Sequence, residues 1–107
     1  MNAMMWVRGF AADYDEWAEH AGREWSFDEV KKYFQRIEDG PMHISAQRSP
    51  RSISAAYLKA VEELGYDVEA PNQAEPKGFC ETVVNQRRGA RWSSADGHLK
   101  PVLRARI

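Results

Sequence analysis

The 107-residue chain holds 43% hydrophobic and 29% charged side chains with a net charge of −1, the balance of a folded domain rather than a disordered tail. No apolar run approaches the roughly 20 residues of a membrane span, and no basic-then-apolar leader is visible, so a cytoplasmic protein is expected. Cys80 is the one cysteine, which excludes an internal disulfide and fits a reducing compartment.

Three amphipathic helices are predicted first. From Ala12 to Ala21, the residues Tyr14, Trp17, Ala18 and Ala21 fall on one helical face. Asp13, Asp15 and Glu16 occupy its first turn, where the macrodipole favours anions, and Gly22 ends it. The second helix has a capping box in Ser26 and Glu29, with Trp25 placed to staple against Val30. Phe27, Val30, Phe34 and Ile37 form its buried stripe, Lys31, Lys32, Gln35 and Arg36 face water, and Gly40-Pro41 stops it. The third follows the turn Ser49-Pro50-Arg51-Ser52. Its inner face is Ile53, Ala56, Tyr57, Ala60, Val61 and Leu64, and Gly65 closes it.

Strand signals lie between and after these helices. Residues 42–45 alternate apolar and polar side chains, and residues 81–86 centre on Val83 and Val84 before the turn Arg87-Arg88-Gly89. Residues 66–78 read as a polar loop carrying Pro71, Asn72, Pro76 and Gly78. Ser93 or Ser94 is set to cap a last helix bearing Leu99, which Pro101 limits. The expected fold is α+β: mostly helical, with the two strands as a small antiparallel pair. Two lone strands leave backbone groups to be satisfied, so further partners are expected in a longer polypeptide. Four tryptophans in so short a chain point the same way, each having a large apolar body to cover.

Several segments, taken in order, carry a resemblance. Asn2-Ala3-Met4-Met5-Trp6-Val7-Arg8-Gly9 runs on to Asp13-Tyr14-Asp15. Glu24-Trp25-Ser26-Phe27-Asp28-Glu29-Val30 is followed by Tyr33-Phe34, then by Gly40-Pro41-Met42-His43-Ile44. Residues 50–66 end in Gly65-Tyr66, Asn72 sits in the loop, and Gly78-Phe79 leads to Gln86-Arg87 with Gly89, Arg91, Ser93, Ala95, Leu99 and Pro101. Together these resemble the glucose–methanol–choline (GMC) oxidoreductases over nearly the whole chain. Departures are Gln73 after Asn72, Pro76, Cys80 in place of a glycine, and His98 in place of a tyrosine.

The resemblance implies an internal stretch of an FAD enzyme that oxidises a small, choline-like alcohol by hydride transfer to the flavin. Residues 1–9 are then the flavin-contacting loop, with Asn2, Ala3, Met4 and Met5 beside the isoalloxazine ring. Residues 12–65 are a helical cap region, 66–78 a loop, and 79–107 a strand and terminal helix of the substrate domain. A flat apolar cradle with a few amide donors suits a flavin. The chain has no Gly-x-Gly-x-x-Gly to seat a pyrophosphate, so FAD is expected in the parent protein and not on this chain alone. The family's proton-abstracting histidine lies far downstream. His20, His43 and His98 are outside that context and read as structural or solvated, and with Cys80 they lack metal-ligand spacing.

Two other functions compete. Exposed aromatic faces would suit an interaction module that forms homo-oligomers. Residues 81–107 carry six basic and two acidic side chains, and Arg87, Arg88, Arg91, Trp92, Arg104 and Arg106 would serve a nucleic-acid binder. The basic residues are mostly single and interleaved with turn residues, so a solvated face without nucleic acid is the expectation.

Overall fold

The computed structural model describes residues 3–105. Its elements are α1 (Ala11–Ala21), a 3₁₀ turn (Arg23–Trp25), α2 (Phe27–Glu38), β1 (Ile44–Ala46), α3 (Ser52–Glu63), β2 (Val83–Arg87), β3 (Ala90–Arg91), and a π-helical turn (Ala95–Leu99) continuing as α4 (Lys100–Arg104). The strands form an antiparallel sheet in the order β1-β2-β3. The expected strand pair is present, with Ile44 opposite Asn85 and Ala46 opposite Val83.

The sheet is larger than the sequence indicated, and its extra partners come from segments read as loop and turn. Met5 bridges Val84 on the edge of β2 away from β1. The Asn85 amide donates to the Met4 carbonyl at 3.0 Å, and the Trp6 amide to the Val83 carbonyl at 2.9 Å. Farther along, β3 pairs with β2 through the turn at Arg88 and Gly89, both at positive φ (54° and 83°). That backbone twist suits a two-residue hairpin. β2 is therefore the central strand, and the β-branched Val84 sits under neighbours on both edges. Among the described residues the buried apolar side chains are Val84, Met42 and Val61.

Helix ends follow local chemistry, with one correction. The Ser26 hydroxyl makes no capping bond. Instead Asp15 of α1 reaches across and accepts from the Phe27 amide at 3.0 Å, while the Glu29 carboxylate pairs with Lys32. The Trp25 ring also packs edge-on against Trp17 at 6.3 Å. Asp15→Ala is expected to lower stability by about 1 kcal/mol, the usual worth of a cap, read as a shift in the urea midpoint. At the other end of the chain a capping box does form. The Ser93 amide donates to Asp96 Oδ2 at 2.9 Å, and the Asp96 amide donates to Ser93 Oγ at 3.3 Å. Lys100 and Ser93 together hold the Asp96 carboxyl well below the usual carboxylate range.

α3 ends as the sequence predicts. Gly65 at φ 85° takes the left-handed position, its amide donates to Glu62, and the Tyr66 amide returns to Val61 at 3.1 Å, the paired bonds of a Schellman motif. The inner face assigned to α3 is only partly covered: Val61 is buried, but Ile53 is 71% and Leu64 77% exposed. Periodicity located the apolar stripe correctly. What it cannot show is whether this stretch of chain covers it.

The molecule is a plate. It measures 56 × 40 × 23 Å, with a radius of gyration of 16.8 Å against about 13 Å for a compact chain of this length. Among the described residues no helix is long and apolar enough to cross a membrane.

Candidate functional site

The amino-terminal segment is fixed by a polar cluster that the sequence did not reveal. Glu38, at the end of α2, accepts from Arg8 Nε at 2.7 Å and from the Trp6 indole at 2.6 Å. A second bond from Arg8 Nη2 makes the Arg8–Glu38 pair bidentate, the geometry in which guanidinium and carboxylate bind most strongly. Both side chains are largely covered, at 21% and 14% exposure. The Arg8 bonds hold the Glu38 carboxyl below its ordinary value, against the opposing effect of burial. Tyr14 of α1 donates to the Arg8 carbonyl, and the Arg8 amide donates to Asn72 Oδ1 at 3.0 Å.

Asn72 belongs to the stretch read as a polar loop, and that stretch is well ordered by its own bonds. Val68 bridges Phe79, and the Glu69 carboxylate accepts from the amides of Lys77 and Gly78. The Ala11 amide donates to the Ala74 carbonyl at 2.9 Å. Loop, α1 and α2 thus converge on residues 6–11 and aim residues 3–5 along the edge of β2.

That edge walls a groove of ≈ 690 Å³, within the range of small-molecule sites. Ala3, Met4 and Met5 form one side with Val84 and Thr82, so three of the four residues assigned to a flavin are brought together on one wall. The fourth, Asn2, lies outside the described residues. Met4 adopts φ 65°, a left-handed conformation uncommon for a side chain of its type and frequent at functional sites. The rest of the lining comes from residues the sequence reading did not assign to the flavin: Gln47, Arg48 and Ser49 after β1, with Gln86, Arg88 and Gly89 from the hairpin. No periodic signal marks them, because they meet only when β1 and β2 pair. A second cavity, of ≈ 380 Å³, adjoins it between α3 and residues 79–82 and shares Gln47 and Thr82. Tyr57 and Phe79 stack edge-on beside it at 6.0 Å.

The histidines fall elsewhere. His20, His43 and His98 are all exposed, and none lines the groove. His43 stands edge-on to Trp92 at 5.1 Å. Among the described residues no group of three acidic, histidine or cysteine side chains is placed to hold a metal. Of the basic set assigned to nucleic acid, Arg87 lies over the Trp92 ring at 4.8 Å, and the Trp92 indole donates to the Pro41 carbonyl at 2.6 Å. Arg106 lies outside the described residues.

The GMC oxidoreductase family model matches residues 1–106. The chain belongs to the GMC oxidoreductase family. It is 56% identical to an uncharacterized GMC-type oxidoreductase of Mycobacterium tuberculosis over 97% of this chain and 23% of the relative. It is 33% identical to an oxygen-dependent choline dehydrogenase of Brucella anthropi over 97% of this chain and 21% of that protein. Among solved structures, pyridoxine 4-oxidase from Mesorbium loti superposes with a TM-score of 0.80 at 29% identity, over 98% of this chain and 24% of that one. The chain therefore spans about a quarter of the length of the proteins it matches. The resemblance carried by the Asn2–Gly9 motif and its successors is confirmed, and with it an α+β region of a GMC oxidoreductase.

Proposed function

We propose that this chain is the flavin-loop and substrate-domain part of an FAD-dependent alcohol oxidoreductase, and that residues 3–5 form one wall of the flavin site. The observation that carries the reading is the groove itself: Met4, Met5 and Val84 give apolar lining, with Thr82 and Gln86 as polar lining residues. This is the mixture a heteroaromatic ring needs, so the residues fit the group. When bound, FAD supplies the hydride acceptor for oxidation of a CH–OH donor. Met5 and Val84 exclude water from that face. The backbone bonds from β2 to Met4 and Trp6 keep the wall from shifting, and the Arg8–Glu38 pair anchors its far end. No histidine of this chain lines the groove, so the proton acceptor belongs to the rest of the parent protein. A choline-like alcohol is the substrate class suggested by the Brucella relative.

A segment exchange tests this. The 107-residue chain alone is expected to retain no flavin through gel filtration. Placed in the Brucella anthropi choline dehydrogenase in exchange for the matching 21% of that protein, it is expected to give a yellow, flavin-retaining enzyme. A chimera that folds but stays colourless would sink the proposal.

A second reading, self-association, is favoured by the exposed apolar face of α3. Ile53, Tyr57 and Leu64 are all more than half exposed. Sedimentation of the chain over a concentration series separates the two: dimers that persist at high dilution would support the oligomer.

A further inference from the structure

The segment after β1 and the β2–β3 hairpin meet at one end of the ≈ 690 Å³ groove, and each brings an arginine there, Arg48 and Arg88. Arg48 is held in place. Its Nη1 donates to the Arg88 carbonyl at 2.7 Å, and its stem crosses Gly89, where an added Cβ would lie 3.0 Å from Arg48 Cδ and 3.3 Å from Nη1. The hairpin turn and the Arg48 side chain are therefore fitted to one another. A long side chain tied to a carbonyl has less rotamer freedom left to lose when a ligand arrives.

Neither arginine has a carboxylate within ion-pair distance among the described residues. No Asp or Glu lines the groove either, while Gln47 and Ser49 add neutral hydrogen-bonding groups beside Arg48. The other end is the apolar wall of Met5 and Val84. The groove is thus amphipathic, with its positive charge left uncompensated at one end.

We infer that the Arg48–Arg88 end accepts a carboxylate or phosphate whose apolar or heteroaromatic body lies along residues 3–5. A guanidinium fork matches either anion in shape and charge. A quaternary ammonium meets the opposite environment, because no acidic side chain and no aromatic face lines the groove. The inference rests on the proposed function in taking the groove as the ligand site, and where the anion belongs to the substrate it replaces the choline-like alcohol with an acidic one. The anion has two sources: the carboxylate of an acidic alcohol substrate, or the phosphate of a flavin nucleotide.

Proton–nitrogen correlation spectra of the chain, titrated separately with glycerate, FMN, riboflavin and choline, test this. Glycerate or FMN is expected to move the Arg48 and Arg88 Nε–H signals saturably, with choline giving no such response. Arg48→Met and Arg88→Met are each expected to weaken the anion by about tenfold, the worth of one charge-assisted contact. Both side chains are exposed, so the backbone spectrum should persist, and Arg48→Lys should restore part of the affinity. A response to glycerate alone identifies the acidic alcohol, and a response to FMN without riboflavin identifies the nucleotide phosphate. Silence toward both anions, choline binding as tight as either, or anion affinity unchanged in both Met variants would overturn the inference. Riboflavin shifts at the Met5 and Val84 amides report on the flavin wall separately, so the two readings fail independently.

Discussion

Glu38→Ala is expected to lower the unfolding free energy by about 2–3 kcal/mol, the cost of leaving a largely covered charge and an indole donor without their acceptor. Arg8 and Trp6 both depend on that carboxylate, and they hold the segment that carries residues 3–5 to the groove. The pH dependence has a definite sign. The carboxyl is depressed in the folded state below its ordinary 4.5, so its stabilisation is fully present above the ordinary carboxylate range. It fades as pH falls from about 4.5 through the lower folded value. Urea midpoints measured by circular dichroism across that interval should fall steeply for the parent chain and less steeply for Glu38→Gln. Equal slopes would remove Glu38 from the role given to it.

Gly78→Ala should be damaging for a different reason. The added Cβ would collide with the Asp67 carbonyl oxygen and crowd the Asp67 Cβ at 3.1 Å. That carbonyl is already committed to the Phe79 amide at 2.9 Å, so backbone rather than a flexible side chain would have to move. A loss of about 1–3 kcal/mol is expected, as for overpacking elsewhere. It should come with a change in the near-ultraviolet signal of Tyr66, whose ring lies 5.6 Å from Phe79. A midpoint within error of the parent would mean that residues 66–78 yield easily.

Local chemistry was readable where it is local. Gly65 closing α3, Ser93 capping the last helical stretch and the alternation from Met42 to Ser45 each depend on neighbours in sequence. Errors arose where a distant group competed. Ser26 and Glu29 have capping-box spacing, but Asp15 supplies the acceptor and Lys32 takes the glutamate. Met4-Met5-Trp6 is too short a run to declare itself a strand, and it joins the sheet only by the Met5–Val84 bridge because β2 has an open edge beside it. Pro101 limits how far the last helix runs regularly, as expected: the chain widens into a π-helical turn over Ala95–Leu99 and continues as the five-residue α4, an adjustment of the kind that accommodates a missing amide donor. The groove was half legible. Ala3, Met4 and Met5 came from the motif, whereas Arg48 has no signature, and nothing ties Gln86 or Arg88 to the groove until β1 meets β2. Nothing in the spacing of Glu38 ties it to a residue thirty positions earlier.

A slab 23 Å thick has no place deeper than half that distance from water. Slow amide exchange should therefore be confined to the middle of β2 around Val84, where strands lie on both edges, while the helices exchange freely along their outer surfaces. Such a slab keeps its form in solution by backbone pairing and a few polar ties more than by an oily interior.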